Sequence, residues 1–146
     1  MDKAICAITL STAKPMQVEA VWHKGNLSLL SEKTLPTERK ALMQTLPATI
    51  SKMESDDYEV LVDERSGFFS STGGTHIQLA NPGPSGKPIL VEALDLYREM
   101  SQQKAIIRPN TSGGTAFRTT YSILTMTLAA RPFIELTGRT SKASTF

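Results

Sequence analysis

Tyr58-Glu59-Val60-Leu61-Val62-Asp63 is the stretch on which the reading of this chain turns. Its apolar residues are consecutive, two are β-branched, and the run ends at once in Asp63-Glu64-Arg65-Ser66-Gly67. It is too short for a helix, and a run without alternation suits a strand covered on both faces. A sheet with helices packed against it is the setting that such a strand needs.

On its N-terminal side, Ala4 to Thr12 carries Ile5, Cys6, Ile8 and Leu10 and stops at Ala13-Lys14-Pro15, a first strand. Met16 to His23 alternates Val18, Ala20 and Trp22 with Gln17, Glu19, Val21 and His23; Lys24-Gly25-Asn26 then turns into Leu27-Ser28-Leu29-Leu30. These three strands predict an antiparallel meander. Leu42, Leu46, Ile50 and Met53 form the apolar stripe of a helix over 36–54. Pro47 interrupts that helix, and the expectation is a kink or two short helices.

On the C-terminal side, Thr75 to Ala80 reads as a short strand and Asn81-Pro82-Gly83-Pro84-Ser85-Gly86 as a connection. Pro88 to Gln102 places Ile89, Ala93, Leu96 and Met100 on one helical face, and Ala105-Ile106-Ile107 is a brief strand. Phe117, Tyr121, Leu124 and Leu128 mark a last helix that ends before Pro132. The order predicts an α/β protein, an α+β mixed sheet with helices against its faces. The expected organisation is one domain, 1–137, followed by a polar basic tail, 138–146.

Composition agrees with one folded unit. The 146 residues are 40% hydrophobic and 21% charged, far from the composition of disordered chains. A single cysteine, Cys6, excludes an intrachain disulfide framework and any multi-thiolate metal site. Met1-Asp2-Lys3-Ala4 has no basic leader followed by an apolar stretch, and no run is long enough to span a bilayer. The expectation is a soluble cytoplasmic protein with no membrane partner. Charge is uneven: twelve acidic and nine basic side chains lie before Arg98, against two and seven from Arg98 onward. Arg98, Lys104, Arg108, Arg118 and Arg131 are therefore the candidate nucleic-acid contacts.

The element order resembles the ribonuclease H-like fold, in particular the nuclease domain of viral (phage) large terminases. Three pieces carry the resemblance: Tyr58 to Asp63 before Ser66-Gly67; Lys87 to Leu94, closing with Gln103 to Pro109; and Ser112-Gly113-Gly114-Thr115-Ala116-Phe117 leading into Leu124 to Ala130. The resemblance implies metal-dependent phosphodiester cleavage by acids on the first strand, at the end of a later parallel strand, and at the start of the last helix. Divalent Mg²⁺ and Mn²⁺ require such hard oxygen donors.

Asp63 fills the second of those positions as candidate metal ligand and catalytic residue, with Glu64 as its helper. The first strand offers only Thr9, Ser11 and Thr12, and the last helix has Phe117 and Arg118 where an acid is implied. One acid of three predicts a degenerate nuclease with no cofactor, or Mg²⁺ or Mn²⁺ if the site is active. The plain reading of Asp63 is a solvated acid that begins a turn, and Glu19, Glu92 and Asp95 read as solvated surface. His23 and His76 stand too far apart in sequence to suggest a shared site. Ser70 to Thr75 and Thr111 to Thr115 read as turns before they read as phosphate loops.

Three readings stay open. The first is a ribonuclease H-like pseudo-nuclease of phage type that binds nucleic acid or a nucleic-acid-processing protein. The second is an active metal-dependent nuclease using Asp63, with Glu64, Glu19 or Glu92 as substitute acids. The third is an assembly protein that forms homo-oligomers through its sheet edge and C-terminal tail.

Overall fold

A computed structural model describes residues 2–10, 14–64, 69–83, 85–107 and 126–128. The first three strands form the expected meander: β1 (Lys3–Thr9), β2 (Met16–His23) and β3 (Asn26–Thr34), each antiparallel to the one before. The β2–β3 turn is tight because His23 pairs with Asn26, leaving Lys24 and Gly25 alone in the loop. Both have positive φ, 48° and 85°, the backbone that matches the twist of a two-residue hairpin. A β-bulge between β2 and β3 leaves Leu30 without a register partner and half exposed.

Helix α1 (Arg39–Ser55) follows and is a single helix with Pro47 inside it. The expected break is absent because Pro47 lies on the exposed side, where water can satisfy the carbonyl that loses its N–H partner. Leu42, Leu46, Ile50 and Met53 are its buried stripe, as their spacing requires. β4 (Tyr58–Asp63) then runs parallel to β1, with Ala4 opposite Tyr58 and Thr9 opposite Asp63. A 3₁₀ turn (Ser70–Thr72) leads to β5 (Thr75–Ile77), which pairs parallel with β4 and is shorter than the sequence suggests. Helix α2 (Ile89–Gln102) carries the chain to β6 (Ile106–Ile107), parallel to the start of β3. Of the expected last helix, 126–128 are helical, and the rest lies outside the described residues.

The strand order is β5-β4-β1-β2-β3-β6, so α2 connects the two edge strands of one six-stranded mixed sheet. Each face has its own core. Ile5, Ala7, Val18, Ala20, Trp22, Leu27, Leu29 and Leu61 pack with Leu96 and Met100 of α2 and with Met126. Cys6, Ile8, Val60 and Val62 pack on the other face with the α1 stripe and Phe69. Consecutive residues of β1 and β4 thus enter opposite cores, which is why these strands are apolar without alternation. Each large side chain so buried stabilises the fold by roughly 1.5–3 kcal/mol.

Interior placement also corrects the reading of β2. Gln17 is buried and the Glu19 side chain is only 16% exposed, with its carboxylate 3.7 Å from Lys33 Nζ and accepting from Gln17 Nε2 at 3.4 Å. Glu19 belongs to an inner strand, not to solvated surface.

Candidate functional site

β1 and β4 are adjacent and parallel, and the chain leaves them in opposite directions across the sheet, β1 toward β2 and β4 toward β5. The carboxyl ends of adjacent parallel strands are the usual ligand position in open α/β sheets. Thr9 and Asp63 are the last residues of these two strands and face each other in register. The Thr9 hydroxyl donates to Asp63 Oδ2 at 2.8 Å. Thr9 is 0% exposed and Asp63 is 1% exposed. The backbone closes the same corner, since Leu10 N–H donates to the Asp63 carbonyl at 2.7 Å.

This overturns the reading of Asp63 as a solvated turn acid. Taking a carboxylate out of water costs several kcal/mol unless hydrogen bonds compensate, and the Thr9 hydroxyl supplies one of them. Thr9 is one of three hydroxyl positions that the sequence offers on the first strand; the parallel register selects it.

Glu64 is also buried but does different work. Both of its carboxylate oxygens accept from the backbone N–H of Phe69, at 3.1 and 3.3 Å, tying Phe69 to the strand end. His76, on β5, brings Nδ1 to 3.2 Å from Glu64 Oε1 without the alignment of a hydrogen bond. Its Nε2 lies 2.9 Å from the Gly73 carbonyl, and because a carbonyl only accepts, Nε2 carries the proton there. The sequence reading weighed His76 only with His23 and did not place it beside Glu64; the signal for that is the strand pairing, which sets His76 opposite Val62, two residues before Glu64. Between Glu64 and His76 the Gly73-Gly74 pair serves packing. A Cβ on Gly74 would sit 3.3 Å from the Val60 side chain and carbonyl, and the φ there is +74°.

The other acids do not join this site. Glu92 is half buried on α2, where its carboxylate accepts from the Ser85 N–H at 2.8 Å and from the Ser85 hydroxyl. It ties down Ser85 of the connection before α2 while staying partly open to solvent. Asp95 is exposed beside Arg98, at 3.9 Å, as a surface acid should be. Among the described residues, no group of three His, Cys, Asp or Glu side chains could hold a metal ion. The only acid in the sequence outside the described residues is Glu135. The described donors therefore do not fit a two-metal centre, which needs several carboxylates around Asp63.

Of the candidate nucleic-acid contacts, Arg98 and Lys104 are exposed, and Lys104 takes a left-handed conformation (φ 57°) just past the end of α2. Arg108, Arg118 and Arg131 lie outside the described residues.

No family model and no curated protein matches the sequence. Solved structures resemble the fold. The large terminase nuclease from thermophilic phage G20c superposes with a TM-score of 0.53 at 10% identity, over 89% of this chain and 82% of that one. The large terminase nuclease domain from bacteriophage SPP1, solved with bound Mn, gives 0.52 at 9% identity, over 89% and 86%. The large terminase from another thermophilic bacteriophage gives 0.52 at 13% identity, covering 74% of this chain and 29% of that protein, so the chain spans under a third of its length. With its six-stranded mixed sheet and this likeness, the chain has the ribonuclease H-like fold of large terminase nuclease domains.

Proposed function

We propose that this chain is a terminase-nuclease-like module that does not cut phosphodiesters through divalent metals and serves as a nucleic-acid-associated binding or regulatory module. The observation that carries this reading is the Thr9–Asp63 pair: a hydroxyl stands in register with Asp63 where metal chemistry calls for a second carboxylate. The excess of cations from Arg98 onward supports an anionic partner, and the domain 1–137 with its basic tail 138–146 is the unit proposed to bind it.

The test incubates the protein with labelled single- and double-stranded DNA and RNA, with Mn²⁺ or EDTA, and reads binding and cleavage on one gel. The expected result is intact nucleic acid in every lane, with a retarded band that weakens as salt rises. Mn²⁺-dependent cleavage that disappears in Asp63→Ala would overturn the reading and establish the active nuclease instead.

A second reading, assembly through the sheet edge, is favoured by one observation. Among the described residues, β6 covers only Leu27 and Ser28 of β3, and the outer edge of the strand beyond them has no strand partner. A multimer stable in high salt without nucleic acid supports assembly; a monomer under those conditions removes it.

A further inference from the structure

Helix α1 breaks two local rules on one exposed flank. Arg39 and Lys40, its first two residues, are exposed cations at the end where the helix dipole favours acids, and the first turn carries no acid. Pro47 stands in the helix interior and removes the donor that the Met43 carbonyl, four residues earlier, would otherwise receive. The two departures converge: Pro47 lies one turn beyond Met43 and Gln44 and two turns beyond Lys40, on the same side of the helix. Arg39, Lys40, Met43 and Gln44 line an apolar groove of about 410 Å³, and Glu38, the acid that precedes them, is not part of its lining. Sequences depart from local rules chiefly where function demands it. We propose that this flank of α1 is a docking groove for an acidic peptide segment of a partner protein, with an apolar anchor side chain on Met43, carboxylates against Arg39 and Lys40, and a donor offered to the Met43 carbonyl.

Each part of the groove fits that occupant. Met43 is half buried at the margin of the α1-side core, and the unbranched, polarisable methionine side chain moulds itself to an anchor, as it does at other peptide-binding surfaces. Cations on the rim steer an acidic partner and reject a basic one. A nucleic-acid strand is the poorer match: two cations make a short charge track, and none of the four lining residues is aromatic, so a base has nothing to stack on. Helix α1 packs on the sheet face opposite α2, so the groove is separate from Arg98, and the inference does not rest on the function proposed above.

The experiment uses the full chain and a fluorescein-labelled peptide of glutamate pairs separated by leucines, read by fluorescence anisotropy and by backbone amide shifts. The same peptide with serine for leucine and a labelled oligothymidylate run beside it. The leucine peptide should bind saturably and shift the amides of 39–47. Lys40→Glu should weaken it about tenfold, and Met43→Ser by a similar factor. Pro47→Ala, which returns a donor to the Met43 carbonyl, should weaken it severalfold while the chain stays folded. Lys40 and Pro47 are exposed, so their variants decide the matter even if Met43→Ser fails to fold. Absence of saturable binding, shifts that fall elsewhere, equal binding of the serine peptide, or unchanged affinity in any folded variant of the three would overturn the inference. So would oligothymidylate binding that Lys40→Glu and Pro47→Ala weaken to the same extent, which would make the groove a nucleic-acid contact.

Discussion

Thr9 and Asp63, 54 residues apart in sequence, are joined by a buried hydrogen bond of 2.8 Å across the one parallel junction between the meander and the rest of the sheet on this side. Replacing Thr9 by Val keeps the shape and removes the donor, and the expected loss is about 1–3 kcal/mol of stability. Asp63→Asn, which keeps a polar partner, should cost less. A double-mutant cycle by urea unfolding should give a coupling of about 1 kcal/mol or more. Additive single-site losses would mean that the hydroxyl and the carboxylate do not support each other.

Gly83 and Glu92 give a second coupled pair. A Cβ at Gly83 would lie 2.6 Å from both Glu92 carboxylate oxygens, so Gly83→Ala has to push that side chain off Ser85. Gly83→Ala and Glu92→Gln should each cost about 1 kcal/mol, and the double variant hardly more than either. Thermal unfolding of the three variants checks this; full additivity counts against it.

Pro47 is a stability defect on the outside of α1. With its ring exposed and the helix continuous around it, Pro47→Ala restores a backbone donor without disturbing the core. The gain should be about 2 kcal/mol, the helix penalty of proline less the freedom that alanine returns to the unfolded chain. Chemical denaturation would show a higher midpoint at unchanged slope.

Burial first, and then the nearby Glu19 carboxylate, push the Cys6 thiol up to about 12 from 9.0. Between those values the unfolded chain has lost the thiol proton and the folded chain keeps it. The stabilising contribution is therefore intact below pH 9 and declines as pH rises toward 12, by up to about 1.4 kcal/mol per pH unit. Urea midpoints should fall more in wild type than in Cys6→Ala when a buffer about one pH unit below the unfolded-state value is exchanged for one about a unit above it. In the lower-pH buffer the native thiol should also ignore a disulfide reagent until urea is added.

The parts of the fold that are legible in the sequence are those with a period. The α1 stripe of Leu42, Leu46, Ile50 and Met53, the alternation of Val18, Ala20 and Trp22, and the consecutive apolar residues of β4 each report how many faces are buried. What is illegible depends on neighbours distant in sequence. Asp63 reads as solvated because nothing local shows that β1 ends beside it with a hydroxyl. The tie between Glu92 and Ser85 is illegible because Ser85 lies in a proline- and glycine-rich connection whose path no periodicity reveals. Pro47 suggests a break because sequence does not say which side of the helix faces water. The candidate site is half visible: the sequence points to both Asp63 and Thr9, but only the register joins them, and His76 enters through a strand pairing that no motif announces.

The strand order also fixes the sequence in which the molecule can assemble. The meander of β1, β2 and β3 needs only neighbouring segments, with a two-residue turn between β2 and β3, so it can form within microseconds. β4 must instead close a loop of some fifty residues before it gains its first contact with β1, and closure of that size is the slow part of folding. The Thr9–Asp63 bond lies at the far end of that late seam, where the strands finish zipping. Its formation marks the moment at which the crossover has docked, and a substitution there should accelerate unfolding far more than it slows folding.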